Sequence, residues 1–282
     1  NRLPTLAKEI PTVQNGGVSA DGLTVTWKLK EGLVYSDGKP VTCSDFQFTL
    51  QVVMTPGIGI TTTTGYDQID SVTCPDPNTI VIKFKKFFAA YLTLFAREDL
   101  IPKHVAGDPK DMAKWDFNRK PIGTGPFKSD EWVADDHITM SRNPNYRVKD
   151  QPYLDQIIIR IVPSTEVAMQ LLSSGEVDIM WNNTEADIPL LAKMAGVKTS
   201  EPVQIGGERM FLNMAENKDP SDPTKPHLIL SDVKVRQAIE YGINKQRVID
   251  SLLFGKAKPG SNELNSGFYQ CPNFKARGYD VA

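Results

Sequence analysis

Apolar and polar residues alternate from Leu23 to Leu29: Leu23, Val25, Trp27 and Leu29 take one side, and Thr24, Thr26 and Lys28 the other. That two-residue period predicts a half-buried strand. The pattern then changes. Asp37-Gly38 marks a tight turn, Pro40 interrupts a ladder, and Thr42 followed three residues later by Asp45 has the form of a capping box with a shortened acid. Phe46, Phe48, Leu50, Val52, Val53 and Met54 predict a helix with a broad buried face. Residues 69–84 predict two short strands around the turn CPDPN, and FFAAYLTLF (Phe87 to Phe95) predicts a buried helix.

Between Val105 and Gly125 the chain turns polar and is punctuated by Gly107, Pro109, Pro121, Gly123 and Gly125, which places a boundary near residue 118. PFKSDEWV and HITMSRN predict a hairpin around 134–136, and the Ile run of YLDQIIIRIV predicts a strand buried on both faces. STEVAMQLLSSG predicts a helix stopped by Gly175, and EVDIMW a further strand. Strand, helix and strand in that order predict a βαβ unit, in which ligands bind at the carboxyl ends of strands. The rest reads as a helix from about Asp187, a strand over GERMFLN, a Pro-rich excursion, and a helix pair over 231–254 broken at Gly242-Ile243-Asn244.

Composition narrows the class of function. The chain has 282 residues, and 32 basic against 34 acidic residues give a net charge of −2. That balance argues against a nucleic-acid surface. No apolar run is as long as a membrane span, and the first residues lack the regions of a signal peptide. Both termini read as processing boundaries, with a fragment the simplest interpretation. Three cysteines fit no zinc spacing. Cys43 opens the capped helix and Cys74 precedes a strand, so the two either form a bridge or are separate buried thiols; Cys271 is then left over.

Candidate chemistry is sparse. GIGITTTTGY (Gly57 to Tyr66) lacks the Lys-Ser/Thr ending of a phosphate loop, and reads either as a mobile polar loop or as one whose hydroxyls, Thr64 among them, and Tyr66 line a cleft. His104, His137 and His227 have no metal-ligand spacing, and neither a nucleophile elbow nor a zinc-protease helix occurs. No catalytic residue, metal or cofactor is expected. Trp181, followed by Asn182 and Asn183 at the end of an expected strand, is what an apolar pocket with a few aimed polar groups requires, and a partly buried core indole is the competing reading. Phe211 and Asn213 pose the same choice at the end of GERMFLN, an expected crossing between lobes.

Four separated stretches carry a family resemblance: LKEGLVYSDGKPVTCSDFQFTL; PIGTGPFKSDEWVADDHITMSRNPNYR; SSGEVDIMW; and FLN followed after an insertion by LSDVKVRQAIEYGINKQRVID. In this order they resemble the family 5 extracellular solute-binding proteins of ABC importers, which include dipeptide-, oligopeptide- and nickel-binding proteins, from about Leu3 to Ala282. The resemblance implies an α/β, periplasmic-binding-protein-like two-lobed clamshell of the class II type. Residues 1–118 would be the smaller subdomain of lobe I, 119–206 its main α/β subdomain, and 207–282 the interlobe crossing and the start of an incomplete lobe II.

It further implies a monomer on the periplasmic or extracellular side, a peptide or small-molecule ligand, and a membrane permease as partner. An exported, oxidising setting accommodates a Cys43–Cys74 bridge, and the bridge is the expectation for this pair because a helix start and a strand edge can lie side by side in one small subdomain. An oligosaccharide or nickel-chelate binder is the alternative within the family. A secreted hydrolase, or a signalling or chaperone module, is the alternative outside it.

Overall fold

The computed structural model describes residues 3–95, 100–181, 183–200, 209–215, 225–260 and 277–281. The chain divides into two compact units, Asn1–Ile161 and Val162–Ala282.

Unit 1 begins with an antiparallel sheet ordered β1-β3-β2, from β1 (Thr24–Lys28), β2 (Ile69–Asp76) and β3 (Thr79–Phe84). Alternation decides which residues enter its core: Val25 of β1 and Ile80, Ile82 and Phe84 of β3 are all buried. In β2 the spacing slips, because a register shift between Ile69 and Ser71 puts Ile69 and Val72, three apart, on the buried side. Over this sheet lies α1 (Cys43–Val53). The Thr42 backbone N–H donates to Asp45 Oδ2 at 2.8 Å, as the capping pattern predicts. Phe48, Val52 and Val53 are buried, whereas Met54 at the helix end is exposed.

Two buried polar residues of α1 fasten a distant segment of chain. Asp45 Oδ1 accepts the Lys103 N–H at 2.9 Å, and the Thr49 hydroxyl accepts the Ile101 N–H at 3.0 Å while donating to Asp45 O at 2.8 Å. Peptide groups that would otherwise be orphaned beside the helix are thereby satisfied. Cys43 and Cys74 are bridged, with an S–S distance of 1.99 Å and Cα atoms 5.7 Å apart. This ties the start of α1 to β2.

The expected helix over FFAAYLTLF is a single 3-10 turn, Tyr91–Thr93. Local groups bond outward instead of along a helix. The Tyr91 hydroxyl donates to Pro11 O at 2.9 Å, the Phe95 N–H donates to the Tyr66 hydroxyl at 2.8 Å, and Phe95 takes φ +54°. Phe88, Tyr91, Leu94 and Phe95 all pack on the sheet core, which outweighs helix propensity.

A second antiparallel sheet, ordered β4-β5-β6, comprises β4 (Phe127–Val133), β5 (His137–Arg142) and β6 (Gln156–Arg160). The hairpin falls where the sequence puts it. β6 departs from expectation: it is an edge strand with Ile158 57% and Ile159 45% exposed, not one buried on both faces. An apolar run of this length fixes neither strand direction nor the number of neighbours, and here its register is set by antiparallel pairing to β5.

The two sheets meet at the turn Tyr35–Lys39. Gly38 (φ +81°) closes it, and Tyr35 N–H donates to Lys39 O at 2.8 Å. The Ser36 N–H donates to Gly123 O at 2.9 Å, and the Asn145 side-chain amide to Ser36 O at 3.2 Å. Buried Asn143 joins in, donating through Nδ2 to Gly125 O at 2.8 Å and accepting the Asn145 N–H at 2.9 Å. His104 Nε2 lies 2.7 Å from Asp37 Oδ2. Burial, with the negative Asp45 adding to it, pushes the Tyr35 phenol far above its ordinary range, so it stays neutral in this core.

Unit 2 contains α2 (Thr165–Ser174), α3 (Ile188–Leu191), α4 (Val233–Gly242) and α5 (Lys245–Leu252). The break between α4 and α5 falls at Ile243-Asn244, where the Asn244 side chain accepts the Arg247 N–H at 2.9 Å. Ile249 is buried, while Val233, Val248 and Leu252 are exposed. Among the described residues, EVDIMW and the described part of GERMFLN form no strand, so no βαβ unit follows β6.

Replacing Cys43 and Cys74 by Ala removes a covalent loop with a sequence separation of 31. This should lower unfolding free energy by ~3–4 kcal/mol in the chain-entropy account, read by urea titration; a loss below about 1 kcal/mol contradicts it. Burial acts most strongly on Asp37, raising its pKa, but the bonds from His104 and the Lys39 N–H outweigh it, and the net shift is downward. The folded state therefore prefers ionised Asp37. Its contribution is complete above the ordinary carboxylate pKa of about 3.9 and is lost as pH falls through the lower folded value. Asp37→Asn should flatten the acid limb of a pH–stability profile and lower the plateau above that pKa; an acid limb that keeps its wild-type slope contradicts this.

Candidate functional site

Thr64 and Tyr66 lie in unit 1. Thr64 is exposed in the loop and accepts a hydrogen bond from the Thr62 hydroxyl at 2.8 Å. Tyr66 is only 4% exposed, because it begins a short 3-10 turn whose ring meets Phe95 edge-on at 5.2 Å. Its remaining surface borders a shallow depression of about 320 Å³ between α1 and β2, lined also by Gln47, Leu50, Met54 and Val72. Gly65 separates the two residues at φ +88°, where a Cβ would lie 2.8 Å from the Phe88 ring.

The other candidates lie in unit 2. α2 starts at Ser164, whose hydroxyl accepts the Val167 N–H at 3.4 Å, and stops at Gly175, which has the left-handed φ of +76°. The Glu176 N–H returns to Leu171 O at 2.9 Å, and from there the chain continues irregularly, with a bend at Asp178. This stretch holds out its apolar side chains: Ile179 is 83% and Trp181 87% exposed. Asn183 is exposed too, and Asn182 lies outside the described residues, as does Cys271. The stretch ends at Thr184, whose N–H and hydroxyl both donate to Asp187 Oδ2 at 2.8 Å. Leu191 of α3 is 2% exposed and roots the segment after the stretch.

Residues 209–215 form a second exposed stretch. Phe211 is 84% exposed, and Asn213 Oδ1 accepts the Ala215 N–H at 3.0 Å. A bridge from Ala215 to Pro226 and the bond from His227 N–H to Met214 O at 2.7 Å hold its end. Reading GERMFLN only as a strand missed Met210 and Met214, exposed at 66% and 52%. Unbranched thioethers on a surface adapt to varied apolar partners, and their spacing around Phe211 was the available signal. Also missed was the Thr184–Asp187 pair, although it repeats the Thr-x-x-Asp pattern of Thr42–Asp45.

The electrostatics of this region are mild. The Ser164 hydroxyl holds Glu166 below the ordinary carboxylate range, against the opposing charge of Asp187. Among the described residues no group of three or more His, Cys, Asp or Glu is placed to hold a metal ion, and no helix is long and apolar enough to cross a membrane. Each of the two stretches carries a largely exposed aromatic with an asparagine two residues further along the chain, Trp181 with Asn183 and Phe211 with Asn213.

The profile of the bacterial extracellular solute-binding proteins, family 5, middle region, matches residues 3–282. A protein of Brucella ovis named as a putative ABC transporter peptide-binding protein is 30% identical over 249 residues, 86% of this chain and 44% of its own length. Among solved structures, the ABC transporter substrate-binding protein CtaP of Listeria monocytogenes superposes with a TM-score of 0.76 at 25% identity, covering 98% of this chain and 54% of that one. NikZ of Campylobacter jejuni, solved with Ni(L-His), also gives 0.76, at 22% identity and covering 98% and 52%. The chain thus spans about half the length of the relatives it matches and carries their two-lobed periplasmic-binding-protein fold over that span. By a match that runs from residue 3 to residue 282, the chain belongs to the family 5 bacterial extracellular solute-binding proteins.

Proposed function

We propose that the chain is part of the solute-binding component of an ABC import system, which captures a peptide or related polar solute between two lobes outside the cytoplasm and delivers it to a membrane permease. The observation that carries this reading is the family match over nearly the whole chain, joined by the peptide-binding name of the Brucella ovis relative. In this reading the protein binds and does not catalyse, and works as a monomer. Residues 1–118, 119–206 and 207–282 serve as smaller subdomain, main subdomain of lobe I, and crossing into lobe II.

Trp181, Asn182, Asn183, Phe211, Asn213 and Thr64 are the proposed ligand contacts, with Tyr66 supporting the loop that carries Thr64. The physical support is strongest at Trp181. Exposing most of an indole forgoes the stabilisation that burial would give, and a ligand covering the ring restores it. Closure is then a population shift: a solute that touches both lobes only in the closed state supplies the bias. A nickel-chelate ligand is the second reading, favoured by the likeness to NikZ solved with Ni(L-His).

Titration calorimetry with trialanine and with nickel–histidine separates the two ligand classes. Trp181→Ala should weaken binding of the preferred probe about tenfold or more, and leave unfolding free energy within about 0.5 kcal/mol. A core indole would instead cost ~3–5 kcal/mol of stability on truncation. Unchanged affinity in the folded variant removes Trp181 from the site.

A further inference from the structure

We infer that Asp187 is a positioning residue for Trp181: the Thr184–Asp187 clamp closes the chain three residues beyond the indole and fixes where the segment re-enters the fold. This rests on the ligand role proposed above for Trp181. Ile179 and Trp181 are 83% and 87% exposed, so burial does not orient them. Their direction must come from the two ends of the stretch. One end is the stop of α2, where Glu176 N–H returns to Leu171 O at 2.9 Å.

The other end is the clamp. Asp187 Oδ2 accepts both the Thr184 N–H and the Thr184 hydroxyl at 2.8 Å, and the Asp187 N–H donates back to Thr184 O at 3.1 Å. Three bonds close four residues into one piece. Asp187 is in turn joined to α3, its carbonyl accepting the N–H groups of Leu190 and Leu191 at 3.0 Å, and Leu191 is 2% exposed. A buried leucine therefore anchors the clamp, and the clamp anchors the stretch. Glu166, in the first turn of α2, is held below the ordinary carboxylate range chiefly by the Ser164 hydroxyl, with the charge of Asp187 acting against it. Holding an exposed aromatic near its bound orientation removes ordering cost from ligand capture.

The clamp needs an acceptor oxygen and not a charge. Asp187→Asn retains an acceptor and relieves the repulsion on Glu166, whereas Asp187→Ala loses the acceptor. Thr184→Val keeps the N–H bond and loses the hydroxyl one.

The test uses the chain with its four tryptophans replaced by 5-fluorotryptophan, giving four fluorine NMR resonances, with Trp181 assigned by Trp181→Phe. Asp187→Ala should sharpen and shift the Trp181 resonance alone, leave the melting temperature essentially unchanged, and weaken trialanine binding about 3- to 10-fold. Asp187→Asn should restore the wild-type line and affinity, and Thr184→Val should fall between. A Trp181 line unmoved in both Asp187→Ala and Thr184→Val overturns the inference. So does movement of all four lines with a fall in melting temperature, because the clamp would then hold the whole unit. If trialanine and nickel–histidine both leave the wild-type Trp181 line unmoved, the ligand role falls and takes the functional half of the inference with it, while the response to Asp187→Ala still decides the clamp.

Discussion

Unit 1 depends on a few peptide groups between Tyr35 and Lys39 being satisfied from several directions at once. Ser36 is bonded to Gly123 and Asn145, Asp37 to His104, and Asn145 in turn to buried Asn143, which holds Gly125. Only the Ser36–Gly123 bond joins two backbone groups; the others run through the side chains of Asn145, Asp37, His104 and Asn143, so chain path and rotamers set the junction together. A chain that failed to bring residues 123–126 to the turn would leave several polar groups unpaired near buried Tyr35, each costing on the order of 1–3 kcal/mol. This constraint couples the antiparallel sheet of β1, β3 and β2 to that of β4, β5 and β6, although no strand runs between them. Asp45 and Thr49 extend the same logic to residues 101–103, so that α1 serves as a post to which loops are tied.

The features legible in the sequence were chiefly local. The capping pair Thr42–Asp45, the stop at Gly175 and the break near Asn244 each satisfy backbone groups within a few residues, and each occurs where its residues are written. The expectations that failed depended on partners far along the chain. FFAAYLTLF has helical composition, but Pro11, Tyr66 and the sheet core offer its groups better partners than its own backbone does. EVDIMW and GERMFLN have strand composition, and a strand exists only where a neighbour supplies the ladder. The Ile run of β6 found one, on one side.

The candidate site was legible in part for the same reason. Residue type flagged Trp181, Phe211 and Asn213 as aromatics and amides at the ends of predicted elements, and both aromatics are largely exposed. Among the described residues the elements they were expected to terminate are not strands, so residue type carried over where the expected scaffold did not. Tyr66 shows the converse. Its loop sequence looked polar, yet the positive φ of Gly65 turns the next side chain into the core. Family membership was carried by none of these residues alone, but by four stretches in a fixed order.

The Cys43–Cys74 bond makes the stability of unit 1 a property of its surroundings as well as of its sequence. In a reducing compartment the link is absent and the loop between α1 and β2 keeps its full chain entropy. The reduced chain is therefore looser in unit 1 than the oxidised one and is more easily held open. An oxidant closes the loop and raises the work needed to open it again. The redox poise of the medium thus sets how stiff this unit is.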